Sequence, residues 1–492
     1  MDLTTAFETY AQEHRQKYMA LYLALRDAIV HGRLAPGERL PSSRALAADY
    51  GLSRGTVNAA YDLLAGEGYV TSGVGRGTFV SRLPAGEGAA TAERSAEAVP
   101  PRLSAWGARA VSLPPRERAA HGFAVHYGTA ETDAAAFPAA EWHRAMYAAA
   151  RASAAHGAAF DARGWLPLRE AVARHLGRAR GIAATAEQVV IVNGSMQALA
   201  LLVQLLVDPG DPVVIEHPGY GGIRRAVLAA GAEPVPAAVD ERGLVPAPWR
   251  ARLLVATPNR QFPTGAVMPL ERRLALLRWA AGADAWVVED DYDSEFRRAG
   301  RPVEPLKSLD AQGRVVFVGT FSRTMYTGLR LGYAVLPDAL LPAFLALKGL
   351  YEPHPTAMTE QRAMAEFMKN GGYERHLRRM KRLYSRKYEA LIGGLREKLA
   401  HAFATQPQDA GLHVYARWTG SREAYLELIE ACARRGVTWT DVSYCDASGE
   451  PVCAAAFGFS GLTIEQIRFG LDVIAQAEAE GLGSRKGGIR SV

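Results

Sequence analysis

The sequence is poor in cysteine and in long apolar runs, and these shortages exclude several classes of protein. Its three cysteines, Cys432, Cys445 and Cys453, are odd in number and fit no metal-binding or redox spacing, so we expect free thiols in a reducing compartment and no bound metal. The chain begins without a basic segment followed by an apolar run, which predicts that it carries no signal peptide. The longest apolar stretch, around 198–207, has about half the length that a membrane crossing needs. These features predict a cytoplasmic protein that has no membrane partner.

The chain is long and carries a small excess of positive charge. Its 492 residues, 49% of them hydrophobic, exceed what one compact domain usually holds. The formal net charge of +6 permits nucleic-acid binding but is equally common in enzymes. We divide the chain into a helical zone that ends in a hairpin (10–82), a linker rich in Ala, Glu, Pro and Gly (83–120) and an α/β zone (121–482). From about residue 340 the α/β zone is expected to form a smaller α+β subdomain.

The N-terminal zone predicts a helix-turn-helix. An apolar residue at every fourth position of 21–29 indicates a first helix, and the serines of 41–43 offer N-cap hydroxyls to a second. Gly51 supplies the left-handed residue that stops the second helix, and Ser53 caps a third. Two helices joined by a tight glycine turn are the arrangement that many DNA-binding proteins use.

The third helix and the following hairpin present polar groups outward. Short polar or cationic side chains at the start of the third helix, Arg54 and Thr56 among them, can reach groove edges and phosphates. The hairpin at 69–80 reads as a wing that carries Arg76 at its tip. The alternative is a small dimerisation cap in which Arg54 and Arg76 are ordinary surface charges.

This zone resembles the GntR family of winged-helix repressors along the run GERLPSSRALAADYGLSRGTVNAAYDLLAGEGYVTSGVGRGTFV. The resemblance implies that Arg44 and Arg54 contact DNA and that Gly77 lets the wing approach the minor groove. We therefore expect double-stranded operator DNA as a partner. The expected contact residues lie at two helix starts and in the wing: Arg44, Ser53, Arg54, Thr56, Arg76 and Gly77.

The third zone alternates short β-branched runs with helical stretches, which predicts a mostly parallel sheet covered by helices. The predicted strands lie at 189–192, 212–215, 253–256, 286–289 and 315–318.

Polar motifs follow several of these strands. The backbone N–H groups at 193–198, where a strand ends and a helix begins, can bind an anion, although a plain turn explains this motif equally well. Hydroxyls of Thr320 and Ser322 with the guanidinium of Arg330 suit a phosphate. The acidic run 289–293 can pair with a protonated ring nitrogen or form a solvated acidic loop.

Together and in this order, the motifs resemble the fold-type I aminotransferases over about 123–475. With the GntR-like reader they resemble the MocR subfamily of transcription regulators. The resemblance implies a winged helix-turn-helix (α+β) joined to an α/β aminotransferase-like domain with a smaller C-terminal α+β subdomain. It also implies a head-to-tail homodimer with each pocket at the interface between protomers.

The same resemblance assigns a pyridoxal phosphate site. Tyr220 would stack on the pyridine ring, Asp290 would meet the ring nitrogen and Tyr292 the phenolic oxygen. The residues that would hold the phosphate are Ser195, Met196, Thr320, Ser322 and Arg330.

Two departures from the family pattern argue against catalysis. Arg323 stands where the family carries its Schiff-base lysine, and arginine stays charged and is a poor nucleophile. The nearest other lysines, Lys307 and Lys348, have no predicted place at the cofactor carbon. Relatives often place a substrate-binding arginine near the segment that corresponds to 454–460, which contains no cation here; Arg468 is expected on the following helix. We therefore predict no transaminase activity and no catalytic residue.

Three interpretations of the pocket stay open. It holds a pyridoxal phosphate vitamer non-covalently, which we favour; it holds another acidic molecule, with Arg323 as an added contact; or the arginine is an engineered replacement. The expected function is a transcription regulator that senses a small-molecule effector. The rival functions are an active aminotransferase with an accessory DNA-binding domain, and a constitutive DNA-binding dimer whose large domain is a scaffold.

One basic run stands outside these assignments. The residues 375–382, continuing to 386–387, predict a strongly cationic helix. It is either a solvated helix face, which is the more frequent case, or a second surface that faces DNA.

Overall fold

The computed structural model of the protein describes residues 3–73, 77–81, 101–113, 122–155, 161–300, 303–406, 408–446 and 448–487. It divides the chain into an N-terminal unit, Met1–Arg102, and a C-terminal unit, Leu103–Val492. Among the described residues, no helix is long and apolar enough to cross a membrane.

The N-terminal unit consists of helices and one hairpin around a single apolar core. Its elements are α1 (Thr4–Glu13), α2 (Lys17–Val30), α3 (Ser43–Asp49), α4 (Arg54–Gly66), β1 (Val70–Gly73) and β2 (Gly77–Val80). The two strands pair antiparallel from Val70↔Val80 to Gly73↔Gly77. This confirms the predicted helix-turn-helix with a β-hairpin wing.

Local capping explains where the helices of the N-terminal unit begin. The Ser42 hydroxyl accepts from the amide of Ala45 at 3.2 Å, and the Ser53 hydroxyl accepts from the amide of Thr56 at 3.1 Å. Between α3 and α4, Gly51 has a φ of 60°, the left-handed conformation that favours glycine. The turn therefore follows from residues adjacent in sequence.

The N-terminal unit begins before residue 10, where the sequence analysis placed its start. Leu3 is buried and its amide donates to the hydroxyl of Tyr50 at 2.8 Å. The ring of Phe7 packs edge-on against the same tyrosine, with 5.6 Å between centroids. Helix α1 was not predicted because none of its residues is buried, so its sequence shows no clear apolar stripe.

The C-terminal unit alternates helices and strands along most of its length. Its helices are α5 (Ala105–Ser112), α6 (Ala139–Ala155), α7 (Leu166–Arg180), α8 (Ser195–Leu206), α9 (Gly221–Ala230), α10 (Leu270–Gly282), α11 (Leu306–Leu309), α12 (Leu341–Tyr351), α13 (Met358–Lys369), α14 (Gly372–Lys398), α15 (Arg422–Arg434) and α16 (Ile464–Gly487). Its strands are β3 (Val125–Tyr127), β4 (Val189–Val192), β5 (Pro212–His217), β6 (Glu233–Asp240), β7 (Gly243–Leu244), β8 (Leu253–Ala256), β9 (Trp286–Asp291), β10 (Val315–Thr320), β11 (Gly332–Val335), β12 (Phe403–Thr405), β13 (His413–Trp418), β14 (Val437–Asp441), β15 (Tyr444–Cys445), β16 (Pro451–Val452) and β17 (Ala454–Gly458).

The large sheet has the strand order β4-β11-β10-β9-β8-β5-β6-β7. Its central pairs are parallel, whereas β11 and β7 run antiparallel to their neighbours. Buried residues fill β4, β8, β10 and β11 completely, as expected for strands covered on both faces. The carboxyl ends of the parallel strands share one edge, the place where ligand sites of α/β sheets form.

A smaller sheet has the order β12-β13-β17-β14-β3. The first strand of the C-terminal unit, β3, pairs in parallel with β14, with Val125 opposite Val437. The predicted C-terminal subdomain therefore takes one strand from the beginning of the unit. A strand of three residues gives too short a pattern to be recognised in the sequence.

Helix α5 lies inside the segment interpreted as a linker. It packs against α9, and the Arg109 guanidinium donates from Nε to the carbonyl of Ala229 at 3.1 Å and from Nη2 to that of Ala230 at 3.3 Å. The last two carbonyls of α9 are thus bound by an arginine that precedes the large sheet in the chain.

Candidate functional site

The start of α8, which follows β4, lies close to the end of β10. Ser195 opens α8 directly after β4, and no side chain of the described residues caps this helix. A Cβ added at Gly332 on β11 would lie 3.0 Å from the Ser195 amide nitrogen and 2.9 Å from the Gly319 carbonyl oxygen. The first amides of α8, those of Ser195 and Met196, therefore lie beside the end of β10, where Thr320 and Ser322 follow. A helix N-terminus in this position favours a phosphate.

Side chains around this helix start complete the phosphate cradle. The Ser322 hydroxyl is buried and has no hydrogen-bond partner among the described residues, while the Ser322 amide donates to Thr320 Oγ1 at 3.1 Å. The Arg330 guanidinium reaches over Gly194, since a Cβ there would lie 2.6 Å from its Nη2. A buried hydroxyl without a partner is costly unless a ligand binds it, so the cradle fits an oxyanion.

Two buried carboxyls lie on the other side of the pocket. Asp290 and Glu216 both line a small cavity together with Tyr220 and Thr257. Each has one carboxyl oxygen without a hydrogen-bond partner among the described residues. Burial raises the pKa of Asp290 to about 7, with a further contribution from Asp291 and Glu216, and burial raises the pKa of Glu216 to about 7. A protonated ring nitrogen is the kind of donor that would satisfy Asp290.

Sequence reasoning did not select Glu216 as a site residue. Its only signal was its position four residues before Tyr220, at the end of a predicted strand. Its second oxygen accepts from the Thr257 hydroxyl at 2.5 Å, so the side chain is held in place.

Tyr292 is positioned by a buried ion pair. Nη1 of Arg260 donates to the Tyr292 hydroxyl oxygen at 2.9 Å and lies 3.0 Å from the Asp293 carboxylate. Burial raises the pKa of Tyr292, so its hydroxyl stays protonated and is able to donate. The ring of Phe262 packs edge-on against both Tyr220 and Tyr292, at 6.1 Å in each case.

Arg260 itself is not available to a ligand. It is buried, and its remaining donors bind the carbonyl of Ala410 at 3.1 Å, the side chain of Gln408 at 3.0 Å and the carbonyl of His413 at 2.9 Å. The loop at 258–265 therefore contributes a structural arginine.

Arg323 lies close to Tyr292 and Tyr220. Its charge interacts with Asp293, Tyr292 and Tyr220, and burial lowers its pKa while Asp293 opposes that shift. Its Nη1 donates to the carbonyl of Thr129. The structure thus brings all nine predicted cofactor-site residues to the carboxyl edge of the large sheet.

The two lysines nearest to Arg323 in sequence are bound to other groups. Lys307 donates to the carbonyl of Val315 at 2.7 Å, and Lys348 forms a buried ion pair with Glu352 at 3.0 Å. Arg468 is exposed on α16, as predicted, and 454–460 forms buried β17 with its following turn.

In the N-terminal unit, Arg44 and Arg54 are exposed in the first turns of α3 and α4. The hydroxyls of Ser53 and Thr56 bind each other at 2.8 Å. Arg76 lies outside the described residues.

Arg39, which the sequence analysis did not select, lies beside the wing. Gly77 has a φ of 102°, and a Cβ there would lie 2.8 Å from Nε of Arg39. Arg39 belongs to a segment that continues the wing sheet, since the amide of Leu40 donates to the carbonyl of Thr78 at 2.8 Å. Its exposed guanidinium therefore lies against the wing.

The fold and site define the class: a winged helix-turn-helix unit joined to an aminotransferase-like unit. Residues 17–80 match the family described as bacterial regulatory proteins, gntR family, and residues 131–456 match aminotransferase class I and II. No group of three or more His, Cys, Asp or Glu side chains in the described part of the chain is placed to hold a metal ion.

The chain is similar along most of its length to proteins named as regulators. The chain is 37% identical to the probable rhizopine catabolism regulatory protein MocR of Rhizobium meliloti, over 94% of this chain and 93% of that protein. It is 30% identical to the pyridoxine biosynthesis transcriptional regulator PdxR of Corynebacterium glutamicum, over 93% and 95% of the two chains. Among solved structures, the α-aminoadipate aminotransferase LysN of Thermus thermophilus, complexed with N-(5'-phosphopyridoxyl)-L-leucine, has a TM-score of 0.66 and 25% identity, covering 74% of this chain and 94% of its own. The protein belongs to the MocR-type regulators of the GntR family and is a DNA-binding transcription regulator.

Proposed function

We propose that the C-terminal unit senses a pyridoxal phosphate vitamer that it binds without a covalent bond. The observation that carries the proposal is a pair of buried polar atoms that have no partner among the described residues: Asp290 Oδ1 and the Ser322 hydroxyl. They match a ring nitrogen and a phosphate, the two polar ends of the vitamer. When bound in a catalytic relative, this cofactor supplies an electron-withdrawing ring.

Each residue of the pocket then has a binding role. Tyr220 packs on the ring, Tyr292 donates to the ring oxygen, and Asp290 pairs with the ring nitrogen. The phosphate lies on the α8 amides with Ser322 and Arg330. Arg323 adds a positive charge where a neutral amine would be needed for covalent attachment, so the pocket binds the vitamer and does not catalyse transamination.

Ligand binding is proposed to alter operator binding by the N-terminal unit. Arg44 and Arg54 contact phosphates or base edges from the helix starts, and the wing approaches the minor groove through Gly77. We further propose a head-to-tail homodimer, which would present two reading units to two half-sites, and a cytoplasmic location, where chromosomal DNA is reached.

The test is an absorbance and mass measurement on three proteins mixed with pyridoxal phosphate: the wild type, Arg323→Lys and Arg330→Lys. The wild type should retain the vitamer after desalting in a buffer of low ionic strength, but it should show no mass increase after borohydride treatment. Arg323→Lys should gain one phosphopyridoxyl mass per chain, because a lysine there has an amine that loses its proton. Arg330→Lys makes the same chemical change in the phosphate cradle and should gain none.

Two results would contradict the proposal. A borohydride-stable adduct on the wild type would mean that another amine attaches the vitamer. Failure of both the wild type and Arg323→Lys to retain any vitamer would mean that the pocket binds a different anionic effector.

A further inference from the structure

The run of basic residues in the C-terminal unit forms one continuous helix face. The exposed cations of α14 between residues 375 and 386 are Arg375, Arg378, Arg379, Lys381, Arg382 and Arg386, here called the α14 stripe. All except Lys381 recur at spacings of three and four residues, which place them on one side of the helix. The opposite side, with His376, Met380, Tyr384 and Lys387, is buried. The orientation of the helix is therefore fixed by its apolar face, and the cations point outward.

The stripe has little negative charge near it. No acidic residue occurs between Glu374 and Glu389. Within the described parts of the chain, Arg378, Lys381, Arg382 and Arg386 have no carboxylate within 4.0 Å, and Arg379 donates to a carbonyl, that of Ala136. Arg375, at the start of the stripe, lies 3.5 Å from the carboxylate of Glu141. Like charges one turn apart repel, so the repulsion among the other stripe residues is little compensated within the described residues.

A groove continues the cationic surface at the start of α14. It has a volume of about 860 Å³ and lies between α7, the end of α13 and α14. Its lining includes Arg174, Arg178, Lys369, Arg375 and Arg378 against one carboxylate, that of Glu374. His175 adds no charge, because burial lowers its pKa to about 4.

The geometry of the stripe suits a regular polyanion. From Arg375 to Arg386 a helix rises about 16 Å, which corresponds to about five base pairs along a duplex. The guanidinium group of arginine binds phosphate oxygens through two N–H groups. Each phosphate that is neutralised in this way releases counterions that were condensed on the duplex. The chain also carries a DNA-reading unit, so flanking duplex is present at a high effective concentration whenever that unit is bound.

We infer that the α14 stripe and the adjoining groove form a second DNA-binding surface, which contacts the phosphates of duplex flanking the operator without reading its sequence. This inference is independent of the vitamer proposed for the pocket. It commits to duplex DNA because the surface carries several exposed cations in a row and offers no exposed apolar anchor that a protein interface would need.

The test measures binding of the full-length protein to a random-sequence duplex of about 40 base pairs, by fluorescence anisotropy between about 50 and 200 mM NaCl. The stripe variant is R378Q/R382Q/R386Q, and the control is R250Q/R434Q/R468Q, which removes the same charge from exposed positions outside α14. Three lost phosphate contacts should reduce the slope of log K against log salt by about 2.7, because each contact contributes about 0.9. The control should keep the slope of the wild type.

Several outcomes would overturn the inference. One is a stripe variant with the slope of the wild type; another is an equal loss in the control, which would show an effect of net charge alone. A third is an unchanged DNA slope together with capture of a poly-glutamate peptide by the wild type and not by the stripe variant, which would assign the surface to an acidic protein. If the triple variant fails to fold, the single variant R382Q should still lower the slope by about 0.9.

Discussion

Replacing Asp290 by asparagine measures how much the buried carboxyl of Asp290 lowers the free energy of unfolding. Asp290 is 5% exposed, and its pKa is about 7 in the folded protein against an ordinary value of 3.8. Between these two values the unfolded chain releases a proton that the folded chain keeps. Stability is therefore lost as the pH rises through this range, and the full penalty is present above about pH 7.

The magnitude follows from the pKa difference. At about 1.36 kcal/mol per pKa unit, a shift of about three units costs the vitamer-free protein about 4 kcal/mol above pH 7. About 1.6 kcal/mol of this cost is already present at pH 5, because the unfolded chain is by then mostly ionised. Asparagine has no proton to release. From pH 5 to pH 8, the free energy of unfolding of the wild type should consequently fall by about 2.5 kcal/mol more than that of Asp290→Asn.

The assay is urea unfolding of both vitamer-free proteins at pH 5 and pH 8, followed by circular dichroism. Asp208→Asn, at an exposed carboxyl, serves as the control and should show no such pH-dependent difference. A stability difference between Asp290→Asn and the wild type that is the same at both pH values would refute the reasoning, because it would mean that Asp290 is not protonated in the folded protein at pH 5.

Two further predictions concern the N-terminal unit. Ser53→Ala should lower the free energy of unfolding of this unit by about 1 kcal/mol, because the start of α4 loses the acceptor for the Thr56 amide. Chemical denaturation measures the loss. The control is Ser43→Ala, which should have a smaller effect because the N-cap hydroxyl of α3 is that of Ser42. Gly77→Ala should weaken binding to a random-sequence duplex by about tenfold, because alanine is strained at this φ and its Cβ would displace Arg39 from the wing. Gly66→Ala, where a Cβ meets open space, is the control for that titration, and equal affinities for the two variants would argue against a role of the Gly77 backbone.

Features that depend on neighbours in sequence could be predicted from the sequence. The caps at Ser42 and Ser53 and the turn at Gly51 act within a few residues, so their residue types identify them directly. The positions of Asp290 and Thr320 also followed, because parallel strands bring their carboxyl ends to one edge.

Features that depend on distant contacts could not be predicted. Strand β3 is defined by its pairing with β14, more than three hundred residues further along the chain. The role of Arg260 could not be predicted, because its buried bonds to Asp293 and to the segment around Gln408 exist only in the folded unit. Glu216 is recognised as a site residue only when the cavity that it shares with Asp290 is known.

The contact between α5 and α9 joins the beginning of the C-terminal unit to a helix that borders the pocket. Tyr220 is the N-cap of α9, and the other end of this helix is held by Arg109 of α5. A helix of ten residues behaves as a stiff rod of about 15 Å, so a ligand that shifts Tyr220 moves the far end with it. The residues at the beginning of the C-terminal unit are therefore coupled to the Tyr220 side of the pocket through one helix and one arginine.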